Sequence, residues 1–153
     1  MSTQTNTDRI EKSITLKAAR SKVWHALTTA EQFGTWFRVK LHGEFEPGQT
    51  IRGNTTYPGY EHVVFEATVE KMEPESHFSY RWHPYAVDPE VDYSNETTTL
   101  VEFTLEDTEG GTLLHVVESG FDALPAARRD IALRMNTGGW EEQLRNISAH
   151  VGG

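Results

Sequence analysis

Leu114, Val116 and Glu118 alternate along one segment of this chain, so if Val116 faces a core, Glu118 faces it too. A carboxyl group on the inner face of a strand loses solvation and its pKa rises. It can then serve as an acid or accept a hydroxyl from a ligand. The same position suits a structural ion pair, or a sheet rim that water still reaches. Tyr80 and Trp82 share a second strand face, and His83-Pro84-Tyr85 follow at the strand end. Rings with a few polar tips make up a small-molecule pocket, and equally the core beneath a helix. Phe65 and Phe103 alternate in the same way on two further segments. Glu118 is the candidate for acid–base chemistry, and the rings with Val116 are candidates for the walls around a ligand.

Other chemistries find less support. The 7 histidines, at 25, 42, 62, 77, 83, 115 and 150, fall at no metal-ligand spacing, and there is no HExxH. Asp88, Glu90 and Asp92 alternate without the glycine and closing glutamate of a calcium loop, so a solvated acidic loop is expected. Ser119 lacks the G-x-S-x-G elbow of a hydrolase. With no cysteine, disulfides, thiol catalysis and iron–sulfur clusters are excluded. No metal and no cofactor are expected. Tyr57, Tyr60 and His62 surround Pro58-Gly59, either as an ordinary exposed turn or as a lid over an opening.

Short strands must position these residues. Ile10, Ile14 and Leu16 alternate with polar residues, as a half-buried strand does. A helix from about Ser21 to Leu27 and a second short one from Ala30 to Trp36 interrupt the strands early. Further strands are expected over Phe37 to Phe45, Thr50 to Thr55, Val63 to Val69, Phe78 to Trp82, Val101 to Leu105 and Leu114 to Glu118, each ended by turn residues. Their hairpin-like spacing argues for an antiparallel sheet. Pro84 to Glu96 is too irregular and acidic for a strand and reads as an extended loop. Pro125 to Val151 reads as one long helix, with Trp140, Leu144, Ile147 and Val151 on one face. The pair Gly138-Gly139 is costly inside that helix unless a kink or a close approach needs it.

A resemblance follows from residues found in order along the chain. These are Val23-Trp24-His25-Ala26-Leu27-Thr28, Trp36-Phe37, Val69 with Met72-Glu73-Pro74, Tyr80-Arg81-Trp82, Gly110-Gly111-Thr112, Ser119-Gly120-Phe121, and Gly139-Trp140 with Leu144. Over about Arg9 to Val151 the chain resembles the SRPBCC superfamily (START-like, Bet v 1-like), in the AHSA1-like branch named after the activator of the heat-shock chaperone ATPase. The resemblance implies an α+β helix-grip fold. A curved antiparallel sheet of about six to seven strands wraps the long C-terminal helix, and two short helices follow strand 1. It also implies an internal apolar cavity. Trp36 and Phe37 would then sit near the cavity mouth, or pin the short helices to the sheet, and Met135 and Asn136 would cover the cavity. Two features depart from the branch: Glu118 stands where a histidine is common, and the loop after Trp82 is longer and more acidic.

The expected organisation is a tail over residues 1–8 and a single domain over 9–151. The polar start, MSTQTNTD, lacks the form of a secretory signal, and no segment approaches the roughly 18 apolar residues of a membrane span, so a cytoplasmic location is expected. A net charge of −9 disfavours nucleic acid and anionic membranes, which need a basic face. The expected function is binding of a small hydrophobic or aromatic ligand in the internal cavity. Ligand-binding candidates are Trp36, Phe37, Phe65, Tyr80, Trp82, Phe103, Val116, Glu118, Met135 and Asn136. The alternatives are an enzyme of cyclase, dehydratase or hydrolase type with Glu118 as its catalytic residue, or a chaperone co-regulator; a homodimer is compatible with any of the three.

Overall fold

The computed structural model describes residues 8–88 and 90–152; apart from Asp8, the expected N-terminal tail lies outside them. The elements run β1 (Arg9–Leu16), α1 (Arg20–Thr28), α2 (Ala30–Phe37), β2 (Val39–His42), β3 (Thr50–Thr55), β4 (Val64–Glu73), β5 (His77–Trp82), β6 (Thr99–Thr108), β7 (Gly111–Ser119) and α3 (Ala126–Val151). All seven strands form one antiparallel sheet in the order β1-β7-β6-β5-β4-β3-β2. The sheet curves around the long α3, with α1 and α2 inserted after the first strand: an α+β helix-grip fold. No described helix is long and apolar enough to cross a membrane.

Strand alternation builds the inner face. Thr99, Val101, Phe103 and Leu105 of β6 are buried, and so are Thr112, Leu114, Val116 and Glu118 of β7. From α3, Ala132, Trp140, Leu144, Ile147 and Val151 face the sheet, which is the stripe expected from the 3.6-residue period. Rings fill the space between. Phe33 contacts Phe45 edge-on at 5.2 Å, and Phe78 stacks on Phe103 at 6.1 Å.

Two boundaries differ from the sequence reading. The strand expected over Phe37 to Phe45 is only Val39–His42, and Phe37 closes α2 instead. Arg38, left-handed at φ 65°, caps that helix by donating its N–H to the Gly34 carbonyl, so the chain turns one residue after Phe37. Pro125 is the N-cap of α3 rather than its first residue.

Register then fixes the polar centre. Glu118 lies opposite Val101 of β6 and Ile10 of β1, while Trp82 lies opposite Thr99. Trp82, Thr99 and Glu118 therefore meet at one end of the sheet. Asn136 and Trp140, four residues apart and so on one helical face, descend on them from α3.

Candidate functional site: an aromatic cavity over a buried carboxylate

Glu118 is fully buried, and its carboxylate is saturated. The Trp82 indole N–H and the Thr99 hydroxyl donate to Oε2 at 2.7 and 2.6 Å. The Asn136 amide and the Trp140 indole N–H donate to Oε1 at 3.0 and 2.8 Å. A carboxylate offers about four lone-pair positions, and these four neutral donors fill them. Burial pushes the carboxyl above the ordinary glutamate range, while the same four hydrogen bonds pull against it. With no open lone pair, Glu118 has nothing left to accept a ligand hydroxyl or a substrate proton. It holds four side chains in place, a structural role carried by neutral donors and not by the ion pair or the water-exposed rim that the sequence reading offered.

Above this centre lies a cavity of about 710 Å³, bounded by the turn between β3 and β4, the loop between β5 and β6, and α3. Phe37, Phe65, Trp82, Met135 and Asn136 line it. Four rings make its wall: Phe37 meets Phe65 at 5.5 Å, Phe65 meets Trp82 at 5.7 Å, and Trp82 meets Trp140 at 5.8 Å. Both indole N–H groups are turned onto Glu118, so the polar edges of the tryptophans are already engaged and the cavity meets their carbon surface.

The remaining sequence candidates sit behind that wall, outside the lining. Phe103, Val116 and Glu118 are core. Trp36 is buried and donates its indole N–H to the Ala26 carbonyl at 2.7 Å, so it pins α2 to α1 instead of gating the mouth. Tyr80 is fully buried and its hydroxyl has no hydrogen-bond partner among the described residues, and burial together with the Glu118 charge raises its pKa well above the ordinary tyrosine value. Tyr80→Phe should therefore be neutral, or stabilising by up to about 1 kcal/mol, in a chemical melt, since it removes an unpaired polar atom. A loss above that size would show that the hydroxyl has a partner.

Three parts of the site go beyond what sequence reasoning described: the partners of Tyr57, which it weighed with Tyr60 and His62 as a lid, the fastening of the acidic loop, and the setting of the glycine pair. Tyr57 lines the cavity and donates to Glu142 of α3 at 2.7 Å, while the Arg38 guanidinium stacks over its ring at 5.0 Å. The loop between β5 and β6 is clasped to α3 by Arg128. Its Nε and Nη2 donate to Glu96, Nη2 also donates to the Pro84 carbonyl at 2.7 Å, and the guanidinium covers the Tyr93 ring. A signal was present: Arg128 is an arginine in the first turn of a helix, where the helix dipole disfavours it, so something local had to repay the cost. Finally, a Cβ built on Gly138 or Gly139 meets nothing within 4 Å, so close packing does not explain the pair; Gly139 lines the cavity.

The comparisons agree with the architecture. Protein MLL2253 from Mesorhizobium loti superposes with a TM-score of 0.74 at 24% identity, covering 93% of this chain and 95% of that one. The Aha1 dimer from Colwellia psychrerythraea gives 0.70 at 20% identity, with 94% and 95% covered. DynU16, a putative protein in the dynemicin biosynthetic locus, gives 0.72 at 20% identity over 94% of this chain and 46% of its own. At these identities the likeness is one of fold. Among curated proteins none matches this chain. The model of the Activator of Hsp90 ATPase homolog 1-like family matches residues 17–152, nearly the whole domain built around this cavity, and the chain belongs to that family.

Proposed function

We propose that the protein binds a small apolar or aromatic molecule in the cavity between the sheet and α3. The observation that carries this reading is an open 710 Å³ space walled by Phe37, Phe65, Trp82 and Trp140, with the two tryptophans held by a buried carboxylate. The mouth supports it. Among the described residues, five large apolar side chains are exposed, and four of them (Tyr60, Val64, Val91 and Met135) line this cavity. Apolar surface gathered at one opening from three chain segments marks a binding site rather than chance exposure. A catalytic reading is weaker, because the acid expected to act, Glu118, is committed to four donors.

The test uses N-phenyl-1-naphthylamine, a neutral fluorescent probe that brightens in apolar surroundings. At a hundredfold excess over its Kd a bound ligand adds about 2.7 kcal/mol, which is a rise in Tm of roughly 5–10 °C for a domain of this size. Gly139→Leu places a side chain in the cavity and replaces a poor helix former. It should stabilise the unliganded protein by about 0.5–1 kcal/mol while lowering probe affinity tenfold or more, the equivalent of about 1.4 kcal/mol. Undiminished binding in that variant would place the probe elsewhere and sink the reading.

A further inference from the structure

The charges around the cavity say which kind of apolar molecule it takes. Behind its inner ring wall, outside the lining, the Glu118 carboxylate is met by four neutral donors, and among the described residues no cation pairs with it. At its mouth Asp88, Asp92 and Glu142 stand in the lining. Asp92 is held below the ordinary carboxylate range by hydrogen bonds from Ser94, and so stays ionised. Glu66 also lines the cavity, but Arg52 pairs with it. Against these, Arg38 is the only lysine or arginine among the described lining residues, and it lies over the Tyr57 ring; His62 and His83 are the other basic groups. Between this carboxylate and the mouth lie two tryptophans and two phenylalanines, aromatic rings whose π faces carry negative charge density. Such faces attract a cation and repel an anion. A carboxylate or phosphate ligand would meet negative charge at both ends of the cavity, whereas a protonated amine meets favourable charge at both.

Building on the binding function proposed above, we infer that this cavity selects an apolar or aromatic body carrying a positively charged amine and discriminates against the matching acid. The rings take the body, and the acids at the mouth take the ammonium group, which remains partly in water.

Three probes with one indole body isolate the charge: tryptamine, the neutral indole-3-ethanol, and indole-3-acetate, titrated by calorimetry at low salt. Tryptamine should bind roughly three- to tenfold tighter than the alcohol, and the acetate weakest of the three. Added salt should narrow the gap between amine and alcohol. In Asp92→Asn with Glu142→Gln the amine-to-alcohol affinity ratio should fall toward one. Removing two acids at the far hairpin, Glu106→Gln with Glu109→Gln, should leave that ratio unchanged. Equal binding of amine and alcohol, or tightest binding of the acetate, would overturn the charge selectivity while leaving the cavity as a binding site. If none of the three binds while N-phenyl-1-naphthylamine does, this inference falls and the binding function stands; if that probe fails as well, both fall.

Discussion

Glu118→Ala is expected to destabilise the protein by about 3–5 kcal/mol, because removing one member of a buried polar network leaves the others without partners. The Trp82 and Trp140 indoles, the Thr99 hydroxyl and the Asn136 amide would all lose their acceptor. Glu118→Gln is the sharper test, since it keeps the shape. Its amide nitrogen must replace either Oε1 or Oε2, and each of those oxygens accepts an indole N–H. Thr99 can rotate its hydroxyl and Asn136 can flip its amide, but an indole can only donate. One tryptophan therefore faces a donor in either orientation, and the expected cost is about 2–4 kcal/mol. Denaturant melts of both variants decide the matter. Losses below about 1 kcal/mol would mean that the network relaxes easily and does not hold the wall.

The same carboxyl has a pH signature. Burial holds its folded pKa above the unfolded value, near 4.5, with the hydrogen bonds opposing but not cancelling the shift. Between those two values the folded state binds more protons than the unfolded state. The contribution of this group is therefore complete below the unfolded value and is lost as pH rises through the folded one. Glu118→Gln does not titrate at this position. The difference in unfolding free energy, wild type minus variant, should be largest below pH 4.5 and shrink as pH rises. A difference that grows with pH would mean that the four donors outweigh burial.

The sequence carried the fold because local periodicities report directly on which faces are buried. Alternation along Leu114, Val116 and Glu118 placed the carboxylate inward, and the helical stripe from Trp140 to Val151 placed α3 over the sheet. The site itself was only half legible. Periodicity assigns a residue to a face but does not say whether that face meets core or open space. Tyr80 and Trp82 share one strand face, yet Tyr80 is sealed under other rings while Trp82, two residues on at the strand end, borders the cavity. The partners of Glu118 come from β5, β6 and α3, and only register across three strands together with the docking of a helix brings them within 3 Å. Long-range pairs such as Tyr57 with Glu142 leave no local trace.

Arg128→Met is expected to unlock the loop between β5 and β6 while the rest of the fold persists. The side chains of Arg128 and Glu96 are 20% and 14% exposed, so the pair is largely withdrawn from water. A truncated arginine would strand the Glu96 carboxylate in that setting and free the Pro84 and Tyr85 carbonyls. It would also release Tyr85 from its left-handed conformation at φ 48°, which a non-glycine residue holds only when its surroundings enforce it. Breaking such a pair costs about 3–5 kcal/mol when it is fully buried, and somewhat less at this partial exposure. Because the loop opens separately from the sheet, the loss should appear first as faster amide hydrogen exchange over residues 84–96 and only partly in the global melt. The loop walls the cavity, so a bound probe should also leave faster, with dissociation affected more than association. Glu96→Gln tests whether the two residues act together. On top of Arg128→Met it should add little, because the charge it removes is already unpaired, and the double-mutant cycle should return a coupling of about 1–3 kcal/mol. Additive effects, or unchanged exchange across the loop, would show that Arg128 decorates the helix rather than fastening the cavity wall to it.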